Sequence, residues 1–162
     1  MIYLDTSAFV KLVRVEGETP ALEAFLRERP KATLVSSALL VVETRRAMLR
    51  EDPSQLARAD LLLTRVDQAD ITRAVLEAAS RLPGPALRSL DAIHLATALQ
   101  LDQDLEALVT YDSRLAAAAG RQKLPVVTPD RRYGRMFWLR RKTLSGSQVR
   151  LRATRRSYLA GP

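Results

Sequence analysis

The sequence predicts an α/β chain: a short, mainly parallel sheet covered by helices on both faces, in three layers, α/β/α. Three observations lead there. Runs such as Ile2-Tyr3-Leu4 and Leu108-Val109 are apolar without alternation, as strands buried on both faces must be. The stretches between them have helical composition and are bounded by Ser, Thr, Asp, Pro or Gly. Strand-like and helix-like segments alternate along the chain, which is the pattern of parallel strands joined by helical crossovers. With 162 residues, 47% of them hydrophobic, the chain can bury one core.

The elements follow in order. Ile2–Leu4 is the first strand and ends at Asp5; Thr6 or Ser7 can cap a helix over Ala8–Val15. Thr19 and Pro20 are the N-cap and first turn of a second helix reaching Arg29. Thr33–Ser36 is a very short strand or extended segment, and Ser37 then caps a helix that turns Leu39, Leu40, Val42 and Ala47 inward and carries Glu43. Pro53-Ser54 opens a helix to Leu63. Arg65–Ile71 is a short strand resting on Val66 and Ile71, with Asp70 or Thr72 starting a helix that runs to Leu82 and breaks at Pro83-Gly84-Pro85. Ser89–Leu101 is a largely apolar helix, Leu108–Thr110 a strand turning at Tyr111-Asp112, and Ser113–Ala119 a helix stopped by Gly120. Leu124–Val127 is the last strand, closed by Pro129.

Composition narrows the chemistry. There is no cysteine, which excludes disulfides, thiolate metal sites and thiol catalysis. A single histidine, His94, excludes a His-rich metal centre. The opening MIYLDTS lacks a basic segment followed by a long apolar run, and no apolar stretch approaches the ~20 residues of a membrane span. The expectation is a cytoplasmic protein that makes no membrane contact.

The net charge of +8 is unevenly placed. Residues 131–162 hold ten Arg or Lys and no acid, leaving 16 basic and 18 acidic residues, a charge of −2, for positions 1–130. The expected division is therefore a domain over 1–130 and a basic, mobile extension over 131–162 with Tyr133, Phe137, Trp138 and Tyr158 interleaved. Two readings of that extension stand side by side: a salt-sensitive nucleic-acid arm whose aromatics stack on unpaired bases, or a segment with no selected role.

Four acids, far apart in sequence, stand at the ends or turns of predicted elements: Asp5, Glu43, Asp91 and Asp112. In an open α/β sheet, ligands collect beyond the carboxyl ends of strands near a topological switch, and Asp5 and Asp112 directly follow apolar runs. A fold gathering all four makes a carboxylate pocket suited to a hard divalent cation such as Mg²⁺, and so to metal-assisted cleavage of a phosphodiester. Structural duties compete with that reading. Asp91 can favour a helix N-terminus, Glu43 can pair with Arg46 or Arg50, and Asp112 can be an Asx turn or N-cap. His94, three residues after Asp91, is either a core histidine or a phosphate contact. Lys11 and Arg14, on the first helix, are surface bases that could bind RNA, although such residues commonly have no specific role, and Arg114 has the better claim to a phosphate.

These segments, in order, resemble the PIN-domain ribonuclease toxins of VapC type. The resemblance rests on Leu4-Asp5-Thr6-Ser7, on Ser36-Ser37 leading to Glu43, on Leu90-Asp91-Ala92-Ile93-His94-Leu95-Ala96, and on Thr110-Tyr111-Asp112 followed by Leu115 and Pro125-Val126-Val127. It covers residues 1–130 and gives no role to 131–162. It implies a PIN-like fold and an endoribonuclease using one or two Mg²⁺ or Mn²⁺ ions. Asp5 and Asp91 would then be core ligands and Glu43 and Asp112 would assist directly or through water, with Thr6, Ser7, Thr110 and Arg114 supporting a carboxylate or the substrate. It also implies an RNA substrate, a cognate antitoxin whose C-terminal segment wraps the toxin, and a homodimer. Crowded carboxylates lead us to expect at least one raised pKa without metal. Two other classes remain open from the residues: a non-catalytic RNA-binding protein, and a phosphoaspartate phosphotransferase with Asp5 as nucleophile. Ser7 counts against the latter, because many such enzymes place a second Asp there.

Overall fold

Ile2, Tyr3 and Leu4 are completely buried, and they form β1 (Ile2–Leu4), the middle strand of a five-stranded sheet. A computed structural model describes residues 1–130; the boundary expected at 130 and the mobility expected of 131–162 lie outside the described residues. The other strands are β2 (Leu34–Ser37), β3 (Asp67–Ala69), β4 (Ala107–Val109) and β5 (Val126–Val127). Their order is β3-β2-β1-β4-β5 and every neighbouring pair is parallel. In register, Tyr3 lies beside Val35 on one flank and Leu108 on the other.

The period of two along each strand divides the core. Ile2, Leu4, Ala107 and Val109 join one apolar cluster. There they meet Phe9 and Val13 of α1 (Thr6–Val13), Leu22 and Phe25 of α2 (Thr19–Arg27), Leu40 and Met48 of α3 (Leu39–Glu51), and Ala59 and Leu63 of α4 (Leu56–Leu63). Tyr3, Val35 and Leu108 enter the cluster on the opposite face, with Leu95 and Ala98 of α6 (Ser89–Leu99) and Leu115, Ala118 and Ala119 of α7 (Ser113–Arg121). Helix α5 (Arg73–Ser80) packs on α6 through Val75, Ala79, Ala92 and Ala96. This is the three-layer arrangement that the alternating pattern predicts. Each large aliphatic side chain buried here contributes roughly 1.5–3 kcal/mol. Among the described residues, no helix is long and apolar enough to cross a membrane.

Several local expectations are corrected. Asp5, rather than Thr6 or Ser7, caps α1, accepting the Ser7 N–H. Ser37 is the last residue of β2, and α3 begins after Ala38 without a side-chain cap, although Ser37 Oγ accepts from Leu39 N–H at 3.3 Å. The second helix has Glu18 as its N-cap and Thr19 inside its first turn. The third strand falls within the expected span but is the shorter Asp67-Gln68-Ala69, with polar Asp67 and Gln68; Val66 lies before it in the core, and β3 is a sheet edge, where exposed polar side chains are tolerated. Thr72 caps α5, which ends at Ser80 rather than Leu82.

Gly120 does not stop α7, which continues to Arg121. The helix closes one turn later with a left-handed residue, Lys123, at φ 63°. Lys123 N–H bonds to Gly120 O at 3.0 Å and Leu124 N–H to Ala119 O at 3.1 Å, the paired bonds of a Schellman motif.

The chain lays β1, β2 and β3 outward in one direction, then crosses back to place β4 and β5 on the other flank of β1. The switch in direction therefore falls between β1 and β4, and the loops leaving their carboxyl ends begin at Asp5 and Thr110.

Candidate functional site

Asp5 follows β1 directly, with its N–H bonded to Val109 O at 3.1 Å, so the backbone of β4 fixes where it leaves the sheet. The residue is 6% exposed. Oδ2 accepts from Ser7 Oγ at 2.5 Å, Thr110 Oγ1 at 2.9 Å and Ser7 N–H at 3.2 Å. The Asp-Thr-Ser run thus folds back on itself, and the strand-end threonine closes the ring from β4. Thr110 Oγ1 also accepts from Asp112 N–H at 3.0 Å, joining the first and fourth acids through one hydroxyl.

Asp112 caps α7, its Oδ1 accepting from Arg114 N–H at 2.7 Å and Leu115 N–H at 3.0 Å. The N-cap duty that competed with a site role is real, and the residue stands at the switch edge as well. Burial works against its ionisation, but those two N–H groups and the Arg114 guanidinium, 3.6 Å away, hold its carboxyl below the usual range. Asp91 lies in the first turn of α6, accepting Arg88 N–H at Oδ2 (3.3 Å). Burial, joined by repulsion from Asp112 and Asp5, pushes its carboxyl up despite that hydrogen bond and Arg114. A raised carboxylate is what crowding leads us to expect, but burial is its largest cause and repulsion from the other acids a smaller one.

Glu43 does not pair with Arg46 or Arg50. Its Oε2 accepts from Thr6 Oγ1 at 2.5 Å and lies 2.8 Å from His94 Nε2. Burial opposes its charge, yet the hydrogen bonds from His94 and Thr6 win and lower its pKa. His94 is 1% exposed, the core histidine rather than the phosphate contact, and it lies 3.9 Å from Asp5 Oδ1 as well as beside Glu43. Sequence reasoning did not single out Tyr3, whose hydroxyl lies 2.8 Å from His94 Nδ1 and accepts Ser37 N–H at 3.0 Å. A tyrosine in a wholly buried strand needs a polar partner, and that was the available signal.

The donor set is oxygen-rich and anionic, which suits Mg²⁺ or Mn²⁺. Each carboxylate is anchored through one oxygen. The other oxygen (Asp5 Oδ1, Glu43 Oε1, Asp91 Oδ1, Asp112 Oδ2) makes no hydrogen bond among the described residues beyond the ion pairs of Asp5 with His94 and Asp112 with Arg114. Among the described residues, however, no three His, Asp or Glu side chains are drawn close enough to hold a metal ion. Carboxylates repel without a counter-ion, so capturing a cation would require the free oxygens to turn toward one point. Lys11, expected at the surface as a possible RNA base, instead pairs with Glu16 and Glu18 at 2.6 and 3.0 Å, and Arg14 pairs with Glu51.

The PIN domain family matches residues 2–121. The chain is 47% identical over 131 residues to Ribonuclease VapC35 of Mycobacterium tuberculosis, covering 80% of this chain and 97% of that protein. It is 43% identical over 128 residues to Ribonuclease VapC46 of the same species, covering 79% and 97%. Among solved structures, Mycobacterium tuberculosis VapC20, described as a sarcin-ricin loop cleaving toxin, superposes with a TM-score of 0.61 at 17% identity, covering 73% of this chain and 95% of that one. A toxin-antitoxin complex from Klebsiella pneumoniae gives a TM-score of 0.60 at 24% identity, covering 80% and 98%. At those identities the superpositions speak for the fold. The family match and the identity to the VapC ribonucleases, over nearly their whole length, establish that the chain belongs to the PIN-domain family and is of VapC type.

Proposed function

We propose that the chain is a metal-dependent endoribonuclease, the toxin of a toxin–antitoxin pair. The observation that carries this is the meeting of Asp5 and Asp112 at the β1/β4 switch, with Glu43 and Asp91 tied to them by hydrogen bonding and charge, in a chain 47% identical to a ribonuclease. Asp5 and Asp91 would be the principal ligands of Mg²⁺ or Mn²⁺, with Glu43 and Asp112 assisting. When bound, the cation would supply Lewis-acid stabilisation of the charge that develops on the phosphodiester. The chain's own residues do the positioning: Ser7 and Thr110 immobilise Asp5, Thr6 and His94 immobilise Glu43, and Arg114 offers a guanidinium to a substrate phosphate.

RNA is the substrate in this reading. A cognate antitoxin is the partner, as the toxin-antitoxin complexes of the same fold suggest. A homodimer in the cytoplasm completes it.

The test is purified protein on RNA with Mg²⁺, Mn²⁺ or EDTA, beside Asp5→Asn. Cleavage that needs the metal and falls by more than ~100-fold in the variant is expected. RNA binding without turnover would favour a non-catalytic binder instead. Phosphate trapped covalently on Asp5 would favour a phosphotransferase.

A further inference from the structure

Glu43 is a long side chain on a helix surface, and such a group ordinarily samples several rotamers. Here it does not hang free. Its Oε2 lies between Thr6 Oγ1 at 2.5 Å and His94 Nε2 at 2.8 Å, and the imidazole is held in turn from its far side by Tyr3 Oη at 2.8 Å. Tyr3 is fixed by its place in the middle strand, by the Ser37 N–H at 3.0 Å and by an edge-on contact with the ring at 5.9 Å between centroids and 85° between planes. His94 and Tyr3 are 1% and 0% exposed, so bulk water does not compete for the bond between them, while the Glu43 carboxylate keeps partial access to solvent. The chain Ser37–Tyr3–His94–Glu43 ties β2, β1, α6 and α3 together and ends on one carboxylate oxygen. An ionised carboxylate can only accept, so Nε2 carries a hydrogen toward Glu43 whatever the protonation of Nδ1.

We propose that His94 is the positioning residue of the site, locking Glu43 through its Oε2 and so presenting Oε1 to the site, with Tyr3 holding the imidazole in place. The inference rests on the nuclease reading above for its consequence, but the contact itself does not depend on that reading. His94 never meets substrate. It fixes where the second acid stands, in the manner of an imidazole–carboxylate pair behind a ligand set.

His94→Phe keeps a ring and removes both nitrogens. It is expected to lower kcat on RNA by about 10- to 100-fold with KM within about twofold, and to weaken Mn²⁺ binding, measured by calorimetry on the protein without RNA, to a similar degree. His94→Gln, whose amide can donate to Oε2, is expected to restore most of both. A folded His94→Phe protein with unchanged kcat and Mn²⁺ affinity overturns the proposal. Should His94→Phe fail to fold, the single histidine of the chain gives a unique imidazole ¹⁵N signal. Glu43→Ala is expected to shift its Nε2 resonance, and an unshifted signal overturns the proposal equally. Asp5→Asn serves as the control on the wider reading. If it retains cleavage and Mn²⁺ binding, Asp5 is not a ligand of the cation and the proposed site falls, and the nitrogen spectrum still decides whether His94 holds Glu43.

Discussion

Asp5 serves twice at the scale of single residues, as the N-cap of α1 through the Ser7 N–H and as the most buried of the four acids, held by the Ser7 and Thr110 hydroxyls. Asp91 is the costly member. Its raised pKa means that holding the charge weakens the fold at any pH above the unfolded value of ~3.9, and fully so once the pH exceeds the raised folded value. Below ~3.9 both states are protonated and the penalty disappears. Asp91→Asn removes the charge and keeps an oxygen for the Arg88 N–H. The metal-free variant is expected to melt roughly 1–3 °C higher than the parent at pH 7, and level with it near pH 3.5, by calorimetry. The gain is modest because the side chain is partly exposed and water screens it. A lower melting temperature at pH 7 would show that burial and the neighbouring acids do not penalise the Asp91 charge. Sites that bind cations commonly trade stability for function in this way.

At the scale of elements, what could be read from the residues depended on burial. β1 and β4 were legible because both faces are covered and every residue is apolar. β3 lies inside the expected Arg65–Ile71 span, but Val66 and Ile71, on which that expectation rests, flank it, because an edge strand carries no apolar period and its residues Asp67 and Gln68 are polar and exposed. Three of the four acids were placed correctly at element ends from local cues alone. The partners of Glu43 are not legible in the sequence, because His94 lies 51 positions away and its helix covers the opposite face of the sheet from α3, so only the complete fold brings the two side chains together. The end of α7 was missed for a different reason. Gly120 is the obvious stop, but the left-handed position falls on Lys123. A non-glycine residue there costs about 1 kcal/mol, so Lys123→Gly is expected to raise the melting temperature by about 2–4 °C without altering RNA cleavage. No gain in a thermal melt would mean that the motif closes differently in solution.

At the scale of the whole molecule, the parallel order β3-β2-β1-β4-β5 does the gathering. It sends every strand's carboxyl end to one edge, puts the direction switch between β1 and β4, and brings residues more than a hundred positions apart into one hydrogen-bonded ring. Glu43 and Asp91 stand on helices lying on opposite faces of the sheet, so the proposed site of four carboxylates would draw on all three layers. The claim on which everything else depends is that this edge captures one or two divalent cations. Anomalous diffraction from a Mn²⁺-soaked crystal addresses it directly. The account predicts a strong peak about 2.0–2.3 Å from an oxygen of Asp5 and one of Asp91, with Glu43 and Asp112 within one water of it. A protein that cleaves RNA while showing no peak at this edge, or binding its manganese elsewhere, would contradict it.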